Sequence, residues 1–492
     1  MKNLKYPLLV LAFLFIYSSC SKKDDELLDE TDTKIKFQRK ELRAAWMATV
    51  WGIDWPGTNY NAESQKQAYI DYLELFKTQK LNAVMVQVRP KADAFYASPY
   101  EPWSQWITGT LGQNPGYDVL QFMIDETHKR GMEFHAWINP YDITTDANNF
   151  DITKYPTLKD HPDWVMRYAD RMIFRPSHPE VPTFLINVID DIATKYDVDG
   201  IHFDDYFYPY PVAGATLDDA ADYAQYGSGY ATIEDFRRGC VNDLIRRIHV
   251  LIETKHPTIL FSVSPYAVWR NLSQDPINGS ATNSTSNYDD LYADIRLWCQ
   301  EGWLDFVVPQ LYQGTNNNYA GFNILTQWWS KHSFDVPVMV GYPLYRFYNA
   351  AEGNLTAEEL QNEFMYAYKE SKIQGGVFYN STAFKANRGG ILEVLDKYYA
   401  NPALIPFMGR KTLPDPDKVS SLSVNSNSLS WNTVNGTDIR YAVYRIRNNK
   451  AQIEAIVSDT SFELTRSGDY CVSAVNAENN EGAYSDIVTY KK

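Results

Sequence analysis

Cysteine is scarce in this chain. Of four in 492 residues, one is Cys20, and the others, Cys240, Cys299 and Cys471, are odd in number and widely spaced. That pattern is neither a disulfide framework nor a metal-ligand cluster. Positive charge is also short: 46 Lys and Arg stand against 61 Asp and Glu, a formal net charge of −15. Nucleic acid and anionic headgroups are therefore poor partners, because neutralising phosphates takes clusters of Lys and Arg. The apolar run from Leu8 to Tyr17 is too short to cross a bilayer. No Gly-rich phosphate loop follows the first β-rich stretch, which argues against the doubly wound open sheet that would otherwise be the competing fold.

What the chain does have begins at its N-terminus. Lys2 and Lys5, the apolar run and then Ser18-Ser19-Cys20 read as a signal peptide over residues 1–20. Cysteine after two small residues resembles a bacterial lipobox, which makes Cys20 the expected lipidation site. Ser21-Lys22-Lys23-Asp24-Asp25-Glu26 resembles an acidic export tag within a flexible tether over 21–39. The expectation is an exported monomer, held to the outer membrane by its lipid alone and facing the periplasm or the cell surface.

From about residue 40 to 405, short β-rich runs alternate with amphipathic helical stretches. The runs fall at 43–50, 83–90, 133–140, 198–206, 259–266, 305–312, 336–342 and 375–380. Helical patterns lie between them, as at 64–79, 117–130, 179–196, 232–255, 288–300 and 356–372. Eight such pairs predict an α/β fold, a closed (β/α)8 TIM barrel. After the linker Leu413-Pro414-Asp415-Pro416 the pattern turns to strict alternation, predicting a small all-β, immunoglobulin-like sandwich over 413–492. Trp431, Tyr444 and the run from Tyr470 to Asn476 resemble a fibronectin type III domain.

In a TIM barrel the chemistry sits at the C-terminal ends of the strands. Polar and aromatic residues gather there: Trp51 and Asp54 after strand one, Arg89, Lys91 and Asp93 after strand two, Asn139, Tyr141 and Asp142 after strand three. Strand five offers Ser264, Tyr266 and Arg270, strand six Gln310 and Tyr312, strand seven Tyr342, Tyr345 and Arg346, and strand eight Tyr379 and Asn380. Strand four is the most informative. Gly200-Ile201-His202-Phe203 runs into Asp204-Asp205-Tyr206, two adjacent carboxylates among aromatics. Buried, unpaired Asp is costly, whereas a carboxylate pair at a strand end is what acid-assisted cleavage of a sugar bond requires. Alternation places His202, Asp204 and Tyr206 on one side and Phe203 and Asp205 on the other, so Asp204 should point into the barrel mouth. Aromatic residues make up 15% of the chain, many in polar segments such as Trp51 to Pro56, where flat apolar faces suit stacking on sugar rings.

Several blocks together resemble glycosyl-hydrolase-like family ten: Arg43-Ala44-Ala45-Trp46 with Asp54-Trp55-Pro56, Gln87-Val88-Arg89-Pro90 with Asp93, and His135-Ala136-Trp137-Ile138-Asn139-Pro140-Tyr141. The strand-four segment, Ser264-Pro265-Tyr266 with Arg270, and Pro309-Gln310-Leu311-Tyr312 continue the series. The resemblance implies a TIM-barrel enzyme that cleaves glycan, with bacterial glycan as a leading substrate, since an enterobacterial member acts on peptidoglycan stripped of its stem peptides. Asp204 and Asp205 also resemble the pairs of substrate-assisted N-acetylhexosaminidases. In those enzymes one carboxylate orients the sugar's acetamido group as nucleophile and the other is the general acid; Gln310 and Tyr312 resemble the residues that hold the acetamido oxygen. In a conventional two-carboxylate glycosidase, Asp54, Asp93 or Asp142 would have to supply the partner.

The expected site is thus Asp204 and Asp205 as catalytic residues. Trp51, Asp54, Arg89, Asp93, His135, Asn139, Tyr141, His202, Tyr206, Tyr266, Arg270, Gln310 and Tyr312 are expected to contact the glycan, with no cofactor. A metal hydrolase built on His135, His202 and Asp204 is the enzymatic rival. Imidazoles so placed more often hydrogen-bond in a core or position substrate, and no metal is expected. A glycan-binding protein that has lost activity is the non-enzymatic alternative.

Overall fold

The structure, a computed structural model, describes residues 34–492; the signal sequence, Cys20 and most of the expected tether lie outside the described residues. Eight parallel strands close into a barrel in chain order. They are Leu42–Met47, Ala83–Arg89, Glu133–Ile138, Gly200–Phe203, Leu260–Val263, Phe306–Val307, Val338–Pro343 and Ile373–Tyr379, referred to below as strands one to eight. These strands are apolar on both faces, as parallel strands between two packed layers must be. Along strand one Leu42, Ala44 and Trp46 fill the barrel with Met85, Phe306, Met339 and Val377. The alternate residues, Ala45 and Met47, pack outward against the helices.

A helix follows each strand, and several begin at a residue whose side chain accepts from an otherwise unpaired N–H. Asn61 caps Ala62–Thr78, Asp118 caps Val119–His128, Thr232 caps Ile233–Lys255 and Thr356 caps Ala357–Lys369. Phe322–His332 and Ile391–Tyr398 supply the helices after strands six and eight, beyond those anticipated. The loop after strand three carries a small antiparallel sheet, Asp142–Thr144, Arg171–Phe174 and Val165–Tyr168, which the sequence pattern did not announce. It walls one side of the barrel mouth.

The C-terminal module is all-β. A three-stranded sheet, Ser423–Asn425, Ser428–Ser430 and Ser461–Glu463, faces a five-stranded one across a core of Leu429, Trp431, Tyr441, Val443 and Val472. One strand of the larger sheet comes from the far end of the chain. Lys36–Phe37, the last part of the stretch read as a tether, pairs in parallel with Lys450–Val457, and Phe37 stacks on Tyr484 with ring centroids 3.7 Å apart. The module docks on the base of the barrel, where the strands begin. Asn479 donates to Glu133 at 2.7 Å, Lys40 pairs with Glu481 at 3.0 Å, and Arg410, just before the linker, pairs with Asp305 at 3.0 Å. The module therefore lies at the end opposite the strand termini that carry the Asp pair. Among the described residues no helix is long and apolar enough to cross a membrane.

Candidate active site

A cavity of about 320 Å³ opens at the C-terminal end of the barrel and is lined by both Asp204 and Asp205. Its walls are aromatic: Trp46, Trp137, Tyr206, Tyr210, Tyr266, Tyr312, Tyr345 and Tyr379, with Ser264, Gln310 and Gln313 among them. Strand four ends at Phe203, so the chain has left the sheet by Asp205 and strict alternation no longer applies. That is why both carboxylates reach one cavity although side-chain parity sets them on opposite faces.

Only neutral groups hold the two acids. Trp137 Nε1 donates to Asp204 Oδ2 at 3.0 Å, Asn139 Nδ2 reaches the same oxygen at 3.4 Å, and the Tyr206 N–H meets Oδ1 at 3.4 Å. Asp205 accepts from the Tyr210 hydroxyl. Burial, and after it the neighbouring charge of Asp205, lifts the Asp204 carboxyl well above the usual range. Asp205 is also raised by burial, against the opposing donors Tyr210 and Gln310. Burial and a like charge in the same cavity both disfavour ionisation, which suits one of the pair to carry a proton.

The aromatic wall is ordered by contact between rings. Tyr312 stacks on Tyr379 at 6.2 Å, Tyr345 meets Tyr379 edge-on at 5.7 Å, and Tyr210 bridges Tyr206 and Tyr266 at 5.9 and 6.1 Å. Gln310 is fixed by donating to the Ser264 carbonyl at 3.0 Å, and the Tyr266 hydroxyl meets Ser284 at 2.7 Å. Rigid apolar faces with hydroxyls at their edges can bind a sugar ring through its C–H face while ordering its polar rim.

Of the anticipated residues, the structure brings Asp204, Asp205, Tyr206, Tyr266, Gln310 and Tyr312 to the cavity, with Asn139 touching Asp204. The others have different partners. Arg89 is fully buried in a two-bond pair with Glu101 and also donates to the Asn139 and Pro140 carbonyls, so it ties the loops of strands two and three together. Asp54 accepts from the Ala48 and Thr382 N–H groups, joining the loops after strands one and eight, and burial lifts its carboxyl to about 6. Asp93, raised to about 6 by burial, accepts from the Lys91 N–H. Tyr141 is buried, and Arg270 is held by Asp289. Trp51 stands more than half exposed beside the mouth.

The two histidines do not converge on Asp204. His135 pairs with Glu133 at 3.1 Å at the base of the barrel. His202, kept neutral by burial, accepts from Trp46 Nε1 at 3.0 Å and meets Ser262 at 2.8 Å. It thereby orients Trp46, a cavity wall. Among the described residues no three His, Cys, Asp or Glu side chains are placed to share a metal ion. Trp46, Trp137 and Tyr210 are cavity residues that the sequence reading missed, whereas Tyr345 and Tyr379 line the cavity from the ends of strands seven and eight. Inward parity on strands one and three would have found the two tryptophans.

Residues 41–354 match the family described as glycosyl hydrolase-like 10. The chain is 39% identical to glycosyl hydrolase YngK of Bacillus subtilis over 84% of each chain. It is 35% identical to glycosyl hydrolase DigH of Escherichia coli over 67% of this chain and 80% of the relative. Among solved structures, the glycoside hydrolase domain of PgaB from Bordetella bronchiseptica is similar at a TM-score of 0.49 and 13% identity, covering 73% of this chain and 98% of that one. On the sequence matches, the chain belongs to the glycosyl hydrolase-like 10 family.

Proposed function

We propose that this family member is a glycoside hydrolase that cleaves glycan containing N-acetylhexosamine, with denuded peptidoglycan as a leading substrate. The observation that carries the reading is the adjacent Asp204–Asp205 pair, buried together in an aromatic-walled cavity with no cation to neutralise it. Glycan cleavage needs a proton delivered to the leaving oxygen and negative charge near the developing oxocarbenium ion. Asp204, whose carboxyl is raised by burial and by the charge of Asp205, is the general acid. Asp205, whose anion two neutral donors stabilise, orients the acetamido group that acts as nucleophile.

Substrate assistance is supported by what surrounds the pair. Asp54 and Asp93 are occupied by backbone N–H groups and Asp142 by Lys91 at 2.8 Å, and none of the three lines the cavity. Gln310, Tyr312 and the stacked Tyr379 form a compact polar and aromatic corner suited to an acetamido group. The sequence from Lys2 to Cys20 supports export and lipid anchoring, and the docked C-terminal module leaves the cleft at the opposite end of the barrel. The test is a mass-spectrometric product profile on denuded peptidoglycan, chitin oligomers and a plain glucan, with and without a thiazoline mimic of the cyclised acetamido sugar. N-acetylated polymers should be cut and the thiazoline should inhibit. Rapid cleavage of the plain glucan would contradict substrate assistance, and failure to cut any of them would contradict hydrolysis.

A further inference from the structure

Across the Asp pair from the aromatic cavity, the barrel mouth carries two cations that cleavage of a neutral glycan does not use. Lys91, after strand two, pairs with Asp142 Oδ2 at 2.8 Å, and Arg171, on the small antiparallel sheet, faces the same carboxylate at 3.4 Å. Two positive charges thus meet at one carboxylate, in a chain whose net charge is −15. Arg171 engages Asp142 through Nη1 alone, and among the described residues its Nε–Nη2 edge has no partner. The side chain is 28% exposed, so this edge is open to solvent. A guanidinium edge with two parallel N–H groups is the geometry that binds a carboxylate through two bonds.

The cluster is continuous with the catalytic pair. Asn139 donates to Asp204 and accepts from the Asp142 N–H at 3.1 Å. Arg171 lies 5.6 Å from the ring centre of Tyr206, itself a cavity wall, and Lys91 lies 5.6 Å from that of the exposed Trp51. Cations beside an open indole and a phenol make a surface that a charged sugar can stack on and pair with at once.

We propose that Arg171, backed by Lys91, reads a carboxylate on the sugar adjacent to the one held in the aromatic cavity. The proposal rests on the glycan-cleaving function above and narrows its substrate. The preferred polymer carries an acidic sugar next to the scissile bond, as a denuded strand with free lactyl groups does. Asp142 holds the two cations apart and in place until that carboxylate arrives, which makes it a positioning residue here.

The test is calorimetric titration of the full chain carrying Asp204→Asn, so that ligand is not consumed. The ligands are a short N-acetylglucosamine–N-acetylmuramic acid oligomer with free lactyl carboxylates and the same oligomer with those groups amidated. The free acid should bind about tenfold more tightly, the scale of a charge-assisted pair at a partly open site. Adding Arg171→Gln should bring the ratio to near one, and Arg171→Lys should keep part of it. Equal affinities, or a preference that survives Arg171→Gln, would overturn the assignment. Equal binding alongside cleavage of both oligomers by the unaltered protein rejects this inference and leaves the hydrolase intact. Carboxylate-dependent binding without cleavage of either does the reverse, and binding of neither contradicts both.

Discussion

The base of the barrel and the cavity at its mouth both hold carboxylates; those of the base have basic partners, and the Asp pair of the cavity has none. At the base, Glu41 pairs with Arg43 at 2.7 Å, Asp199 with His128 at 2.7 Å, Glu133 with His135 at 3.1 Å and Asp305 with Arg410 at 3.0 Å. At the mouth, Asp204 and Asp205 line one cavity with only indole, amide and phenol donors. Burial would raise the Glu133 carboxyl, yet His135, Asn479 and Arg440 outweigh it and hold it below its usual range. The Asp204 carboxyl goes the other way, as do Asp199 and Asp305 at the base, where burial outweighs the basic partner. An acid with a basic partner is joinery, here between the barrel floor and its flanking segments. A buried pair without one is a strained arrangement that persists where chemistry needs it.

The largest expected effect is at the mouth. Asp205→Asn should lower turnover by ~10²–10⁴-fold on oligomers and on substrates with activated aryl leaving groups alike, because forming the nucleophile does not depend on the leaving group. Were the activated substrate spared, Asp205 would be the acid and the roles of the pair would be exchanged.

Deleting residues 413–492 should act on the base alone. The deletion removes the strand partners of Lys36–Phe37 and uncovers Leu404, so the melting temperature should fall. Turnover of a soluble oligomer should persist, as the cleft is at the other end. A truncated protein that folds but is inert would erase the distinction between the ends.

Asp204→Asn should stabilise the fold as it removes activity. A carboxyl whose folded pKa is raised contributes stability that is present below the unfolded value near 3.8 and is lost as pH rises toward the folded value. Asparagine has no such loss, so the variant's advantage in melting temperature should be small at pH 4 and grow toward pH 7. An advantage independent of pH would mean that Asp204 is not held protonated.

The smallest effect is on the shape of the pH profile. Asp205 is the second cause of the raised Asp204 carboxyl. The residual activity of Asp205→Asn should therefore lose its alkaline limb at lower pH than the unaltered protein, as followed by kcat/KM. An unmoved limb would uncouple the two acids.

The barrel was legible because its strands are apolar runs with abrupt polar ends, and Asp204 and Asp205 stood out against such a run. Arg89 and Asp54 looked equally functional in sequence. What removes them from the cleft is Glu101 in one case and the N–H groups of Ala48 and Thr382 in the other, partners that no local pattern announces. Trp46 and Trp137 read as core because their place in the cavity depends on how the barrel closes. The Lys36–Phe37 strand could not be read at all, since its partner strand begins only at Lys450.

The most direct test sets the ends against each other: turnover of one soluble N-acetylhexosamine oligomer by Asp204→Asn and by Glu133→Gln, each confirmed folded. The mouth variant should lose ~10²-fold or more, while the base variant should melt at lower temperature yet turn over near the unaltered rate. Near-normal turnover in Asp204→Asn, or equal losses in both, would contradict the assignment of the unpaired acids to catalysis.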